Sequence, residues 1–157
     1  MHLYFFDKSE FGPQENTRNI DWWPHMDPRL LVLLDVFRFQ WNRAVSISRH
    51  GQALGRRLGR ESTSDHNVDR HGVVLAADVF PAGMDTPERA KQALELALDI
   101  GFTSMGVYPH WSSPGLHLGT RRSTEPGAPA QWGAIRKDGV QTFVSVREAL
   151  EQWDHPT

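Results

Sequence analysis

Apolar residues recur at helical spacing in "DPRLLVLLDVFRFQWN" (27 to 42), where Leu30, Leu31, Leu34, Phe37 and Trp41 fall on one stripe. Asp27 suits the N-cap and Pro28 the first helical position, so the pattern predicts a helix with one buried face. "AVSIS" (44 to 48) alternates and is β-branched, which predicts a short strand after it. Glycines at 51, 55 and 59 then interrupt the pattern. Each costs a helix about 1 kcal/mol relative to alanine, so this segment reads as a loop holding one helical turn. "GVVLAADVF" (72 to 80) has the length and apolarity of a buried strand and stops at "PAGMD".

"DTPERAKQALELALDIG" (85 to 101) predicts a second helix, with Thr86 as N-cap, Pro87 in the first turn and Gly101 just past the end. Its apolar face is Ala90, Ala93, Leu94, Ala97 and Leu98. "SMGVYP" (104 to 109) and "GLHLG" (115 to 119) form a hairpin-like pair around "HWSSP". A polar Pro/Gly stretch and a short apolar segment "WGAI" follow, and "KDG" leads a second hairpin into "VQTFVSV". A short helix at about 145 to 153 closes the chain, and no internal repeat is present. The sum is a single α+β domain over residues 1–157, with a small, mostly antiparallel sheet and two main helices.

Composition narrows the chemistry. The 157 residues (17.9 kDa) are enough for one core that buries about two-thirds of the unfolded surface. The 17 basic residues are spread among 19 acidic ones at a net charge of -2, so no basic stripe marks a nucleic-acid partner. There is no cysteine; any zinc must be held by His and Asp or Glu. "MHLYFFDKSEF" lacks the basic and small-residue features of a signal peptide, and "LLVLL" is far short of the ~20 residues that span a bilayer. The expectation is a soluble protein, cytoplasmic when made, with no membrane partner and no marker of oligomeric state.

Asp78 is the most informative residue. It lies inside the predicted buried strand, where a carboxylate is costly unless it is paired or binds a cation. An arginine partner or an outward orientation is the alternative. His66 and His71 precede it by twelve and seven residues, and either can reach it across a turn. His117 stands between Leu116 and Leu118, so the strand period turns it to the face opposite those leucines, which suits a ligand facing a cleft and equally an ordinary exposed histidine.

The succession of helix, "AVSIS", loop, Ser-x-His in "SDH" (64 to 66), "AADV" (76 to 79), helix, "GVYP" (106 to 109) and "GLHLGTR" (115 to 121) resembles the zinc D-alanyl-D-alanine carboxypeptidase family and its endolysin relatives. That superfamily includes murein endopeptidases and the hedgehog signalling domain. The resemblance covers about residues 27 to 122 and implies the same fold, with a zinc ion on a histidine, Asp78 and His117. For the first ligand, His66 has the Ser-x-His context and His71 the usual distance to the strand. His66 is preferred, with His71 then close by as a supporting group.

The family places an acidic or histidine general base shortly before the last ligand, and "HWSSPGLH" offers only His110. Gly119 stands where one branch carries Asp. Arg49, just after "SIS", matches an arginine of the family and is the candidate anchor for a substrate carboxylate. Trp111 is the tryptophan placed to line a cleft, whereas Arg56, Arg57, Arg60 and Arg121 read as solvated surface. The implied function is a zinc-dependent peptidase cutting peptidoglycan stem or cross-bridge peptides. The small single-domain format suggests a phage or prophage endolysin or virion-associated enzyme, acting at the cell wall after release. The alternatives are a catalytically impaired or non-catalytic binding domain of that fold, and an unrelated α+β domain whose histidines do not converge.

Overall fold

The computed structural model describes residues 3–12, 20–50 and 52–153. Among them the elements run α1 (Pro28–Trp41), β1 (Val45–Ile47), α2 (Val68–His71), β2 (Ala76–Pro81), α3 (Pro87–Ile100), β3 (Ser104–Tyr108), β4 (Gly115–Gly119), β5 (Ala130–Lys137), β6 (Val140–Val144) and α4 (Val146–Glu151). None of these helices is long and apolar enough to cross a membrane.

Local chemistry explains the long helices. Asp27 caps α1 by accepting from the Arg29 amide, Pro28 needs no partner in the first turn, and Asn42 ends the helix in left-handed backbone. Thr86 and Gly101 do the same for α3. Leu30, Leu31, Leu34 and Phe37 are buried as their spacing requires, and so are Ala90, Ala93, Leu94 and Ala97. Leu98, expected on that face, is half exposed at 50%. Asp35 is a buried carboxylate on α1, satisfied by the amides of Tyr4, Phe5 and Phe6.

The two main helices form as expected, and the sheet departs from the expectation of a small, mostly antiparallel one. It is a six-stranded mixed sheet in the order β1-β2-β4-β3-β5-β6, and four α-helices are present among the described residues. The reason is topological. The β3–β4 hairpin forms as expected, but β4 is flanked by β2 on its other side, so the next strand has to reach the free edge of β3. The chain from 120 to 129 makes that crossing, and β5 lies parallel to β3. The second hairpin then turns at Asp138 and Gly139, both at positive φ, as "KDG" predicts.

Strand alternation divides the sheet. Ala77, Val79, Met105, Val107, Leu116 and Leu118 enter the core beneath α1, α3 and α4. Asp78, Gly106, Tyr108, His117 and Trp132 therefore share the opposite face, with Asp78 paired to His117 and Gly106 to both His117 and Trp132.

Candidate metal centre

Two elements and one loop converge on that second face. β2 supplies Asp78 and β4 supplies His117 as direct cross-strand partners. His66 arrives from the loop after β1. The loop is fixed locally by Asn67, whose side-chain amide donates to Gly59 O and Ser62 O while its oxygen caps α2 at the Asp69 amide. Backbone bonds from Arg56 N to His66 O and from Val68 N to Arg56 O clamp the segment further.

The resulting triangle is tight. His66 Nε2 lies 3.1 Å from His117 Nδ1 and 3.4 Å from Asp78 Oδ1, and His117 Nδ1 lies 3.3 Å from the same oxygen. All three side chains are buried. Their outer partners settle where the protons are. His66 Nδ1 faces Leu54 O, which can only accept, so Nδ1 carries the hydrogen and Nε2 presents a lone pair to the triangle. His117 Nε2 faces Asp65 at 3.5 Å and Ser104 Oγ at 3.2 Å, while that hydroxyl gives its own proton to Asp65. Nε2 thus carries the hydrogen and Nδ1 also turns a lone pair inward. Two imidazole lone pairs and a carboxylate oxygen meet at one point, and His66, Asp78 and His117 can hold a metal ion there.

The spacing matches the chemistry of such an ion. Ligand atoms bonded at about 2.0–2.1 Å on a tetrahedron stand about 3.3 Å apart, which is the size of this triangle. Charge is arranged to suit. Burial pushes Asp78 up, but His66 and His117 outweigh it and hold its carboxyl well below the usual range. Asp65, also buried, is held down by His117, Arg121 and Ser104. Burial, with help from His117 and Arg56, lowers His66 against the pull of Asp78. Burial would lower His117 too, yet its hydrogen bonds to Asp65 and Asp78 raise it overall.

The other candidates are placed as follows. His71 belongs to α2, a helical turn where the sequence reads as a lengthened loop, and its Nε2 meets Ser64 O at 3.1 Å. Its Nδ1 is 3.8 Å from Glu125, so it faces away from the triangle. His110 is set between Ala134 O and Gln141, and its ring touches none of the three ligands. Arg49 is exposed just beyond β1. Trp111 stacks on Tyr108 at 4.0 Å and meets Phe80 edge-on, forming an aromatic group beside the centre.

Four residues at the site escape the sequence reading. Asp65 is the x of Ser-x-His. Arg121, expected on the solvated surface, pairs with it at 2.9 Å. Arg56, half-buried, lies close enough for its charge to act on both His66 and Tyr108. Trp132 lies against His117, ring centroids 4.9 Å apart, and its Nε1 donates to the Tyr108 hydroxyl. Asp65 and Arg121 left a trace in the sequence, the one through its place next to His66 and the other at the end of "GLHLGTR". Comparison with models of protein families, with curated proteins and with solved structures finds no match to this chain.

Proposed function

We propose that the chain is a zinc-dependent peptidase of the hedgehog/D-alanyl-D-alanine peptidase type, acting on peptidoglycan stem or cross-bridge peptides. The observation that carries this reading is the convergence of two imidazole lone pairs and one carboxylate within 3.4 Å. Two nitrogens and one oxygen, with no thiolate, form a donor set of the catalytic zinc class, which keeps a fourth position open. Asp65 behind His117 and the Leu54 carbonyl behind His66 are the outer partners that such ligands use. A zinc ion held there would supply Lewis-acid polarisation of a carbonyl and would lower the pKa of a bound water to about 7.

The chain's own residues orient the reaction. Hydrolysis adds one water across an amide, its oxygen to the carbonyl carbon and a proton to the leaving nitrogen. Trp111, Tyr108 and Trp132 wall the side of the site away from the loop, and Arg49 and Arg56 offer guanidinium groups for a substrate carboxylate. The substrate class is what the resemblance carried by the Ser-x-His, "AADV" and "GLHLGTR" motifs implies. Release to the cell wall, or carriage on a virion, belongs to the same proposal.

A second reading, a metal-binding domain with impaired catalysis, is favoured by one observation. His110, the candidate base from "HWSSPGLH", has its ring nitrogens directed at Ala134 and Gln141. Loss of a general base costs about 100- to 10,000-fold in rate and leaves metal binding intact. Elemental analysis of the purified protein, with Asp78→Ala and His117→Ala beside it, tests both readings. One zinc per chain in the parent and none in either variant is expected, together with release of new amino groups from purified peptidoglycan. Zinc without release supports the impaired domain, and a parent that takes up no zinc at neutral pH overturns both.

A further inference from the structure

We propose that the Tyr108 hydroxyl donates a hydrogen bond to the carbonyl oxygen of the scissile amide, on which negative charge grows as water adds. The proposal rests on the peptidase reading and gives a catalytic role to a residue that the "GVYP" motif contains but leaves without one. The geometry begins in the register. Tyr108 is the last residue of β3, opposite Gly115 and two residues from the position facing His117, on the same side of the sheet as Asp78 and His117. Gly115 leaves that approach open, since a Cβ there would meet the Trp111 ring at 2.6 Å. Trp111 stacks nearly flat on the phenol, 14° between planes, and fixes its orientation.

The decisive contact is the hydrogen bond from Trp132 Nε1 to the phenol oxygen at 3.0 Å. An indole nitrogen only donates, so the phenol oxygen must accept and its own proton must point elsewhere. Among the described residues nothing accepts that proton. Tyr108 is nearly buried, close enough to Asp78 to feel its charge, and burial keeps it protonated across the working range, its pKa pushed up to about 12. A hydroxyl whose oxygen already accepts a bond is polarised into a better donor. Such an oriented, unspent donor beside a metal centre is suited to charge that appears only during reaction.

The test uses zinc-loaded protein and Tyr108→Phe, which keeps the ring and the Trp111 stack. The substrate is a soluble muropeptide digest, and the second probe is a phosphinic dipeptide, a stable tetrahedral mimic, titrated by calorimetry. Expected are unchanged zinc content, KM within about threefold, a fall in kcat of about 100- to 1,000-fold, and a parallel loss of phosphinic affinity. Trp132→Phe, which removes the orienting N–H, should give part of the same loss. Full kcat and phosphinic affinity in Tyr108→Phe, with an active parent, overturn the Tyr108 role and leave the peptidase reading standing. Loss of zinc, or a rise in KM alone, would show a structural role and overturn it too. A zinc-loaded parent that cleaves nothing in the digest overturns the peptidase reading, and the Tyr108 role with it.

Discussion

Asp65 holds no ligand position, yet it decides how His117 presents itself. Its carboxylate takes the Ser104 proton, the Arg121 Nε–H and the approach of His117 Nε2. Asp65→Asn keeps the shape and removes the charge, and metal affinity should fall by about 10- to 100-fold. Chelator competition on the purified variant measures this, and an unchanged affinity would show that Ser104 alone orients the ring. His71→Ala should leave the same affinity unaltered, because His71 faces Ser64 and Glu125. Asp78 was legible as a candidate because burying a carboxylate has few explanations, and His117 because it stands in the "GLHLGTR" motif of the resemblance. Asp65 was not, because its partners Ser104 and Arg121 lie 39 and 56 residues away.

The long helices show what an element can declare about itself. Caps and apolar spacing located both ends of α1 and α3, since each is a local property of a few neighbouring residues. The apolar run from 72 was less faithful. Only Ala76–Pro81 forms β2, while Val74 exchanges backbone bonds with the segment before α1. Nothing local separates an apolar residue in a ladder from one in a bridge. Gly106 is a second case. It is read as an ordinary strand residue, but the parallel partner β5 lays Trp132 across it, and an added Cβ would meet the indole at 2.5 Å. Gly106→Ala should therefore cost about 1–3 kcal/mol, as overpacking does. Urea unfolding measures that cost, and an accompanying change in tryptophan emission would report displacement of Trp132. A variant as stable as the parent would mean that the indole moves freely. Thr86→Ala, which only removes the α3 cap, should cost about 1 kcal/mol without touching metal affinity.

For the whole molecule, the buried charges link stability to pH with definite signs. Asp65 and Asp78 are held below the ordinary 3.8, so their contribution is complete above that value and is lost as pH falls through their lower folded values. His117 is raised from 6.5, so its contribution is complete below that value and is lost as pH rises through its higher folded value, whereas His66 is lowered, so the fold loses stability through it as pH falls below 6.5. The metal-free protein should lose stability gradually in urea as pH falls below about 6.5, through His66, and steeply below about 4, through Asp65 and Asp78. A constant midpoint from about pH 6.5 to about 5 would show that burial does not hold His66 neutral. With zinc bound, the added stability should fade as pH drops through the imidazole range, because metal and proton compete for the same lone pairs. The sequence by itself determined the α+β class, the two capped helices, the β3–β4 hairpin and the short list from which the ligands come. All of these follow from local periodicity, capping or the cost of burying charge. Only the tertiary structure decided the six-strand order, the choice of His66 over His71 for the triangle, and the placing of Asp65, Arg56 and Trp132 around it. Those depend on which strand edge was still free and on contacts between distant residues, and neither is written in any local pattern.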